Sequence, residues 1–480
     1  MDGREVTTLE GLPGDDREAW SSALVSSGGS QCGFCTPGIV MRLAALEGPV
    51  ADERIDQSLL AHLCRCTGWQ TIRDAAHIVL DTPSSAGRGE SDRTPEGPGR
   101  DLDAAAARAA LEGGVHQRVG PAIVLGDAGF ADDGCPDDAL VAVTGPEGDY
   151  VVAESLPAAR TLAGKVQGRS TTVPLVHPVE LPPGDWAVTL VTTWVEPAYL
   201  EPDASWCSPG GVAASPVANG GAFGGKLHSP VAGDARRLAD EHGCPVRVLW
   251  SREDVVRRGP KRPPIAAGMA TDGTGVLRIG VSGPVFDGPG WDAVVVSVAA
   301  VAPRLRLEQV PVVGPPVSLD LRAAVWAEAA VLAAVVRHVG AEGPVLDVPV
   351  EVVSPDGSRA TARLGSDGSV GLEVSAGAVL DSIVLRSYAI GAAHQALGWV
   401  GSEGVAVDDD GNVRDLTVRS FGILQSRAMP PVDVRIDDDA TGTPVNGSDA
   451  VFAAVAAARW LADGLAPTWP TERGAEVRRR

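Results

Sequence analysis

Four cysteines carry the clearest chemistry in this 480-residue sequence. Cys32 and Cys35 stand in "SQCGFCTPGIV", and Cys64 and Cys66 in "HLCRCTGW", so a C-x2-C pair is followed after 28 residues by a C-x-C pair. Thiolates in two close pairs can hold a metal centre. A structural zinc site usually repeats C-x2-C in both halves, and C-x-C makes a tighter, less usual chelate. A [2Fe–2S] cluster needs four cysteinates in two pairs, which this spacing can supply. A pair of disulfides suits an oxidising compartment, whereas the acidic N-terminus "MDGREVTTLEGL" has no apolar core of a secretory signal. The expected location is therefore cytoplasmic. Cys135, Cys207 and Cys244 are isolated in the sequence and read as single buried thiols.

A second chemical signal is the glycine-rich stretch "NGGAFGGKLHSPVAGDARRLA". It nearly spells a phosphate-binding loop, with Gly220 and then Gly225-Lys226. Leu227 stands where that loop needs Ser or Thr, and "AASPVAN" before it is no hydrophobic strand. The glycines still demand close backbone approach or positive φ, which suits a tight turn on Phe223 or a loop beside an anionic cofactor.

The elements that must position these groups fall into two textures. The first eighty residues read as four short helices: "DDREAWSSALVSS" ending at Gly28-Gly29, a helix capped by Thr36 with Pro37 next and stopped by Gly48, then "ADERIDQSLLAHL", then "TIRDAAHIVLD". Residues 83–100, rich in Pro, Gly, Ser and charge, read as a linker. Beyond it, valine-rich strand candidates ("DALVAV", "WAVTLVTTWV", "VRVLW", "WDAVVVSVAAVA", "VLDVPVEVV") alternate with helical runs. One such run is "SPVAGDARRLADEHG", with Ser229 as cap and Gly243 as stop. "EGVAVDDDGNVRDLTVRSF" looks like two strands joined at Asp410-Gly411.

The expected architecture is multidomain: an N-terminal all-α four-helix [2Fe–2S] bundle over 1–82, then a large α+β region with lobes over 101–335 and 336–480. A net charge of −22 with no basic stripe excludes nucleic acid and anionic membrane as partners. No apolar run reaches transmembrane length.

"QCGFCTPG" with "LCRCTGW" resembles the helical [2Fe–2S] domain of the xanthine dehydrogenase/aldehyde oxidase family of molybdenum hydroxylases, where Trp69 is more often Tyr. The likeness extends to "GGAFGGK" and its sequel "PVRVLWSRED", and to "GAAHQALGWVGSEG". It implies a cluster on Cys32, Cys35, Cys64 and Cys66, and a molybdopterin contacted by Gly221, Phe223, Gly224 and Gln395; a helix-face glutamine is the plainer reading of Gln395. "YLEPDASW" fits more loosely, with Pro197 where a histidine is usual. The family's general-base glutamate sits in a Gly-Glu pair opening an alanine-rich helix, and the corresponding place here is Gly447-Ser448. Ser448 cannot act as a base at neutral pH without an activating group, and Ser448 or Asp449 then reads as a helix cap.

The resemblance further implies that a preceding ferredoxin-like domain and a flavin domain are missing, and that the region after residue 100 is about half the family's length. Two functions are expected from it. One is an iron–sulfur oxidoreductase passing electrons between a molybdopterin site and the cluster, with a ferredoxin-like or flavin partner as the next carrier and an unknown small-molecule substrate. The other is a non-catalytic [2Fe–2S] electron-transfer or docking protein on a degenerate scaffold.

Overall fold

The computed structural model describes residues 3–81, 100–164, 174–217, 219–340, 343–344 and 347–472. The linker expected over 83–100 lies outside them except for Arg100, which forks onto Asp381 at 2.7 and 2.8 Å and donates to the Val25 carbonyl.

The N-terminal bundle consists of the helices Gly14–Ser27, Thr36–Leu43, Asp52–Ser58 and Gln70–Leu80. Gly28 closes the first in the left-handed conformation, as expected. Two boundaries differ from the sequence reading. Thr36 is already helical and its hydroxyl pairs with Ser30 at 3.0 Å, while Cys35 takes the cap position. That helix ends at Leu43 rather than running to Gly48, which sits in the following turn with positive φ.

Beyond the bundle lie three four-stranded sheets. The first has the order 150–153, 140–144, 246–249, 204–207, the second 188–191, 265–269, 275–281, 305–311, and the third 350–353, 359–364, 370–375, 432–437. Each combines antiparallel neighbours with one parallel pair. Val370, Leu372 and Val374 alternate inward along one strand and pack toward the helix Ser448–Ala462.

"WDAVVVSVAAVA", expected as a strand, is part of the helix Gly288–Val301. Its buried residues, Val294, Val298 and Ala302, recur every four positions, a helical period, and Pro289 presets the first turn. The turn at Asp410-Gly411 forms, yet it joins a single bridge, Val407 to Val413, rather than two strands. Ser229 does not cap its helix; its hydroxyl is spent on Asp203.

The long helix Ser382–Gly401 is buried almost all round, as an interior helix must be. One continuous core joins Leu24, Ile39 and Ile72 of the bundle to Val331, Ala389, Trp399 and Trp460 of the later helices. The bundle is thus packed on the long helix. No helix among the described residues is long and apolar enough to cross a membrane.

Candidate metal centre

Cys32 and Cys35 occupy the turn between the first two helices, and Cys64 and Cys66 the loop that leads into the fourth. The fold brings all four together, two by two and across the loops. Cys66 Sγ lies 3.5 Å from Cys32 Sγ, and the Cys35 thiol is near enough to Cys64 for each to shift the other's titration. Cys64 and Cys66 are buried, whereas Cys32 and Cys35 are half-buried. Donation from Cys35 pulls the Cys64 thiol well down against the burial that opposes it. The Thr67 hydroxyl, 3.2 Å away, and the N–H groups of Thr67 and Cys66 add to the effect. Donors aimed at a sulfur favour thiolate, so Cys64 ionises more readily than Cys35 and Cys66, which their neighbouring sulfurs and burial push well up.

Among the described residues no group of three or more His, Cys, Asp or Glu is arranged around one metal ion. Two sulfur pairs suit a two-iron cluster, which takes two cysteines on each iron, better than a single tetrahedral zinc.

The walls of this centre come from distant parts of the chain. Gly221 rests on it directly: a Cβ there would lie 2.7 Å from Cys32 Cβ and 3.0 Å from Cys32 Sγ, and its φ of 81° also calls for glycine. Gly391, in the long helix, is pressed against the Cys66 carbonyl so closely that any side chain would overlap it. Gln31 donates to the same carbonyl at 3.1 Å and to the Ser387 hydroxyl at 2.9 Å. Gln395 donates to the Arg65 carbonyl at 3.1 Å. Arg65, between the two last cysteines, forms a bidentate pair with Glu403 at 2.6 and 2.8 Å and reaches the Pro197 carbonyl at 3.0 Å.

The positions expected to meet a pterin are all engaged with protein. Gly221 backs onto the sulfurs, Gly224 onto the Asp320 carbonyl, and Gln395 onto the Arg65 carbonyl. Phe223 accepts from Arg322 N–H at 3.1 Å, and its ring carries the Arg322 guanidinium at 5.1 Å. Lys226 is paired with Glu201 at 2.6 Å, so this lysine is not left for a phosphate. A cavity bordered by Gln31, Gln117, Ser387 and Tyr388, and by none of the positions expected to meet a pterin, measures about 20 Å³, close to one water. As arranged, these residues do not fit a molybdopterin.

Ser448 is fully buried at the start of its helix. Its hydroxyl accepts from Arg322 and donates to Asn446 Oδ1, and its N–H donates to Glu112 at 2.8 Å. The cap expected of Ser448 or Asp449 is supplied instead by Asn446, which accepts from Asp449 N–H at 3.0 Å, and by Glu112, which also accepts from Gly447 N–H. Burial pushes the Asp449 carboxyl up while Arg322, 2.8 Å away, pulls it down. Sequence reasoning missed Glu403, Arg322 and Glu112, because nothing local marks a partner hundreds of residues away. Arg65 was visible only through its place between two cysteines.

Residues 8–77 match the family of [2Fe–2S] binding domains, which makes this segment an iron–sulfur domain. Over 86 residues the chain is 42% identical to the iron–sulfur-binding subunit of xanthine dehydrogenase from Escherichia coli, covering 17% of this chain and 52% of that protein. Over 89 residues it is 44% identical to the xanthine dehydrogenase of Dictyostelium discoideum, covering 18% of this chain and 7% of that one. The chain thus spans about half, or far less, of the curated relatives it matches. The fold of the whole chain follows that of the aldehyde oxidoreductase from Desulfovibrio gigas, with a TM-score of 0.65 at 13% identity over 98% of this chain and 91% of that one. The domain match makes residues 8–77 an iron–sulfur domain, and the likeness to the aldehyde oxidoreductase is one of fold.

Proposed function

We propose that this chain is an iron–sulfur electron-transfer protein on a fold of the molybdenum hydroxylase kind, working through Cys32, Cys35, Cys64 and Cys66. The observation that carries this reading is the pairing of the four sulfurs, Cys32 with Cys66 and Cys35 with Cys64. A [2Fe–2S] cluster held there takes up and gives back one electron at a time. The chain's own residues exclude water on the Cys64–Cys66 side and leave the Cys32–Cys35 side half open. Phe34, in that turn, is exposed. A ferredoxin-like or flavin partner would approach from this side, and a net charge of −22 favours a carrier with a basic face.

A second reading, with a molybdopterin bound and electrons passing from it to the cluster, is favoured by one observation. Gln31 Oε1 and Gln117 Nε2 are buried without partners and belong to residues lining the same small cavity. Buried polar atoms of this kind normally find a partner. Filling the site would require Gly221, Phe223 and Gln395 to leave their present contacts.

Metal and pterin analysis of anaerobically purified protein tests both. About two irons per chain without molybdenum or pterin is the expected result. Molybdenum and pterin near one per chain would replace the first reading by the second. Zinc without visible absorption would overturn the cluster.

A further inference from the structure

Arg65 is the one charged residue between the two buried cysteines of its loop, and its charge does not reach solvent. The side chains of Arg65 and Glu403 are only 6% and 2% exposed. The guanidinium spends two N–H groups on the carboxylate and Nε on the Pro197 carbonyl. Room for this carboxylate is made by Gly398, where a side chain would collide with Glu403 Oε1. Glu403 N–H donates to the Gly398 carbonyl at 2.7 Å, which fixes the residue at the end of the long helix. The backbone of the same loop is held separately, by Gln395 on the Arg65 carbonyl and Gln31 on the Cys66 carbonyl. The loop's geometry and its charge are thus set by different groups.

A four-cysteinate cluster gains one negative charge on reduction, and nearby net charge sets how readily it does so. In a buried site such charges are weakly screened. An unpaired arginine beside Cys64 and Cys66 would favour the reduced state, and a paired one much less.

We propose that Glu403, by neutralising Arg65, holds the reduction potential of the cluster low, which makes the pair a tuning device rather than only an anchor. This rests on the cluster reading above. In the test, the full chain is purified anaerobically, its iron content and visible spectrum are recorded, and it is titrated with dithionite against redox dyes at pH 8. Glu403→Gln leaves Arg65 unpaired and is expected to raise the reduced-to-oxidised ratio at fixed potential about tenfold, about 59 mV for a one-electron couple. Arg65→Met is expected to move it the opposite way. The double variant Arg65→Met/Glu403→Gln removes both charges and is expected to return close to the parent value.

Loss of anchoring alone would leave the double variant at least as perturbed as the singles, which would overturn the proposal. Unchanged potentials in variants with full iron would do the same. Should Glu403→Gln fail to assemble, the downward shift of Arg65→Met still decides. A parent protein without iron or a bleachable spectrum would instead refute the cluster reading, and that outcome is read before any variant is made.

Discussion

At Gly221 a single methyl group is enough to disturb the metal centre. The added carbon would sit 2.7 Å from Cys32 Cβ and 3.3 Å from Cys66 Sγ, and the neighbours are a helix-anchored turn and a second cysteine, not flexible side chains. Gly221→Ala is therefore expected to destabilise the chain by about 1–3 kcal/mol and to lower iron occupancy, as read by thermal melting and iron assay. Cys66→Ala removes one sulfur of the Cys32 pair, and the expected outcome is loss of the visible cluster spectrum. Retention of a full spectrum in Cys66→Ala would remove Cys66 from the ligand set. Both effects operate at the level of one side chain.

At the scale of elements, the helix Ser448–Ala462 begins inside the protein, and its first N–H groups are satisfied by Glu112 from the helix Leu102–Gly113. Glu112 is in turn paired with the fully buried Arg108. Glu112→Ala would strand that arginine and is expected to cost about 3–5 kcal/mol, measured by urea unfolding. The long helix carries a different sensitivity. His394 is buried, and that burial, with the Arg65 charge behind it, lowers its pKa from 6.5 to about 4. The unfolded chain takes up this proton below about pH 6.5 and the folded chain does not, so stability falls as pH drops from about 6.5 to about 4. The loss from this residue is about 3 kcal/mol, and His394→Gln should flatten the stability curve in that window.

Much of this level could be read from the sequence. The four bundle helices follow from apolar periodicity and glycine stops, and the helix opening at Ser448 from the resemblance. The cysteine set follows from spacing. What could not be read is what the loops press against, because Glu403 on Arg65, Arg322 on Ser448 and Gly391 on Cys66 are contacts between segments over a hundred residues apart. The valine run at 291–302 misled because β-branched composition outweighed its four-residue burial period.

At the scale of the whole molecule, the four cysteines sit where the bundle meets the rest of the fold. The Cys64–Cys66 loop touches the long helix through Gly391 and Gln395, the Cys32 turn touches it through Gln31 and Ser387, and Gly68 lies against Ile390. Removing a cluster would leave four thiols with no common ligand at the centre of this junction, and metal binding energy of that kind is folding energy. Cluster removal is therefore expected to lower the melting temperature by roughly 5 °C or more, since about 1 kcal/mol corresponds to about 2–4 °C in a domain of 150–250 residues. Hydrogen exchange should localise the change. Faster exchange is expected in 30–36 and 62–68 and, with them, in the helix Ser382–Gly401, because the cysteine loops and that helix share their contacts. Faster exchange confined to the bundle would show that the two regions unfold independently, and that the long helix keeps its fold without the metal centre.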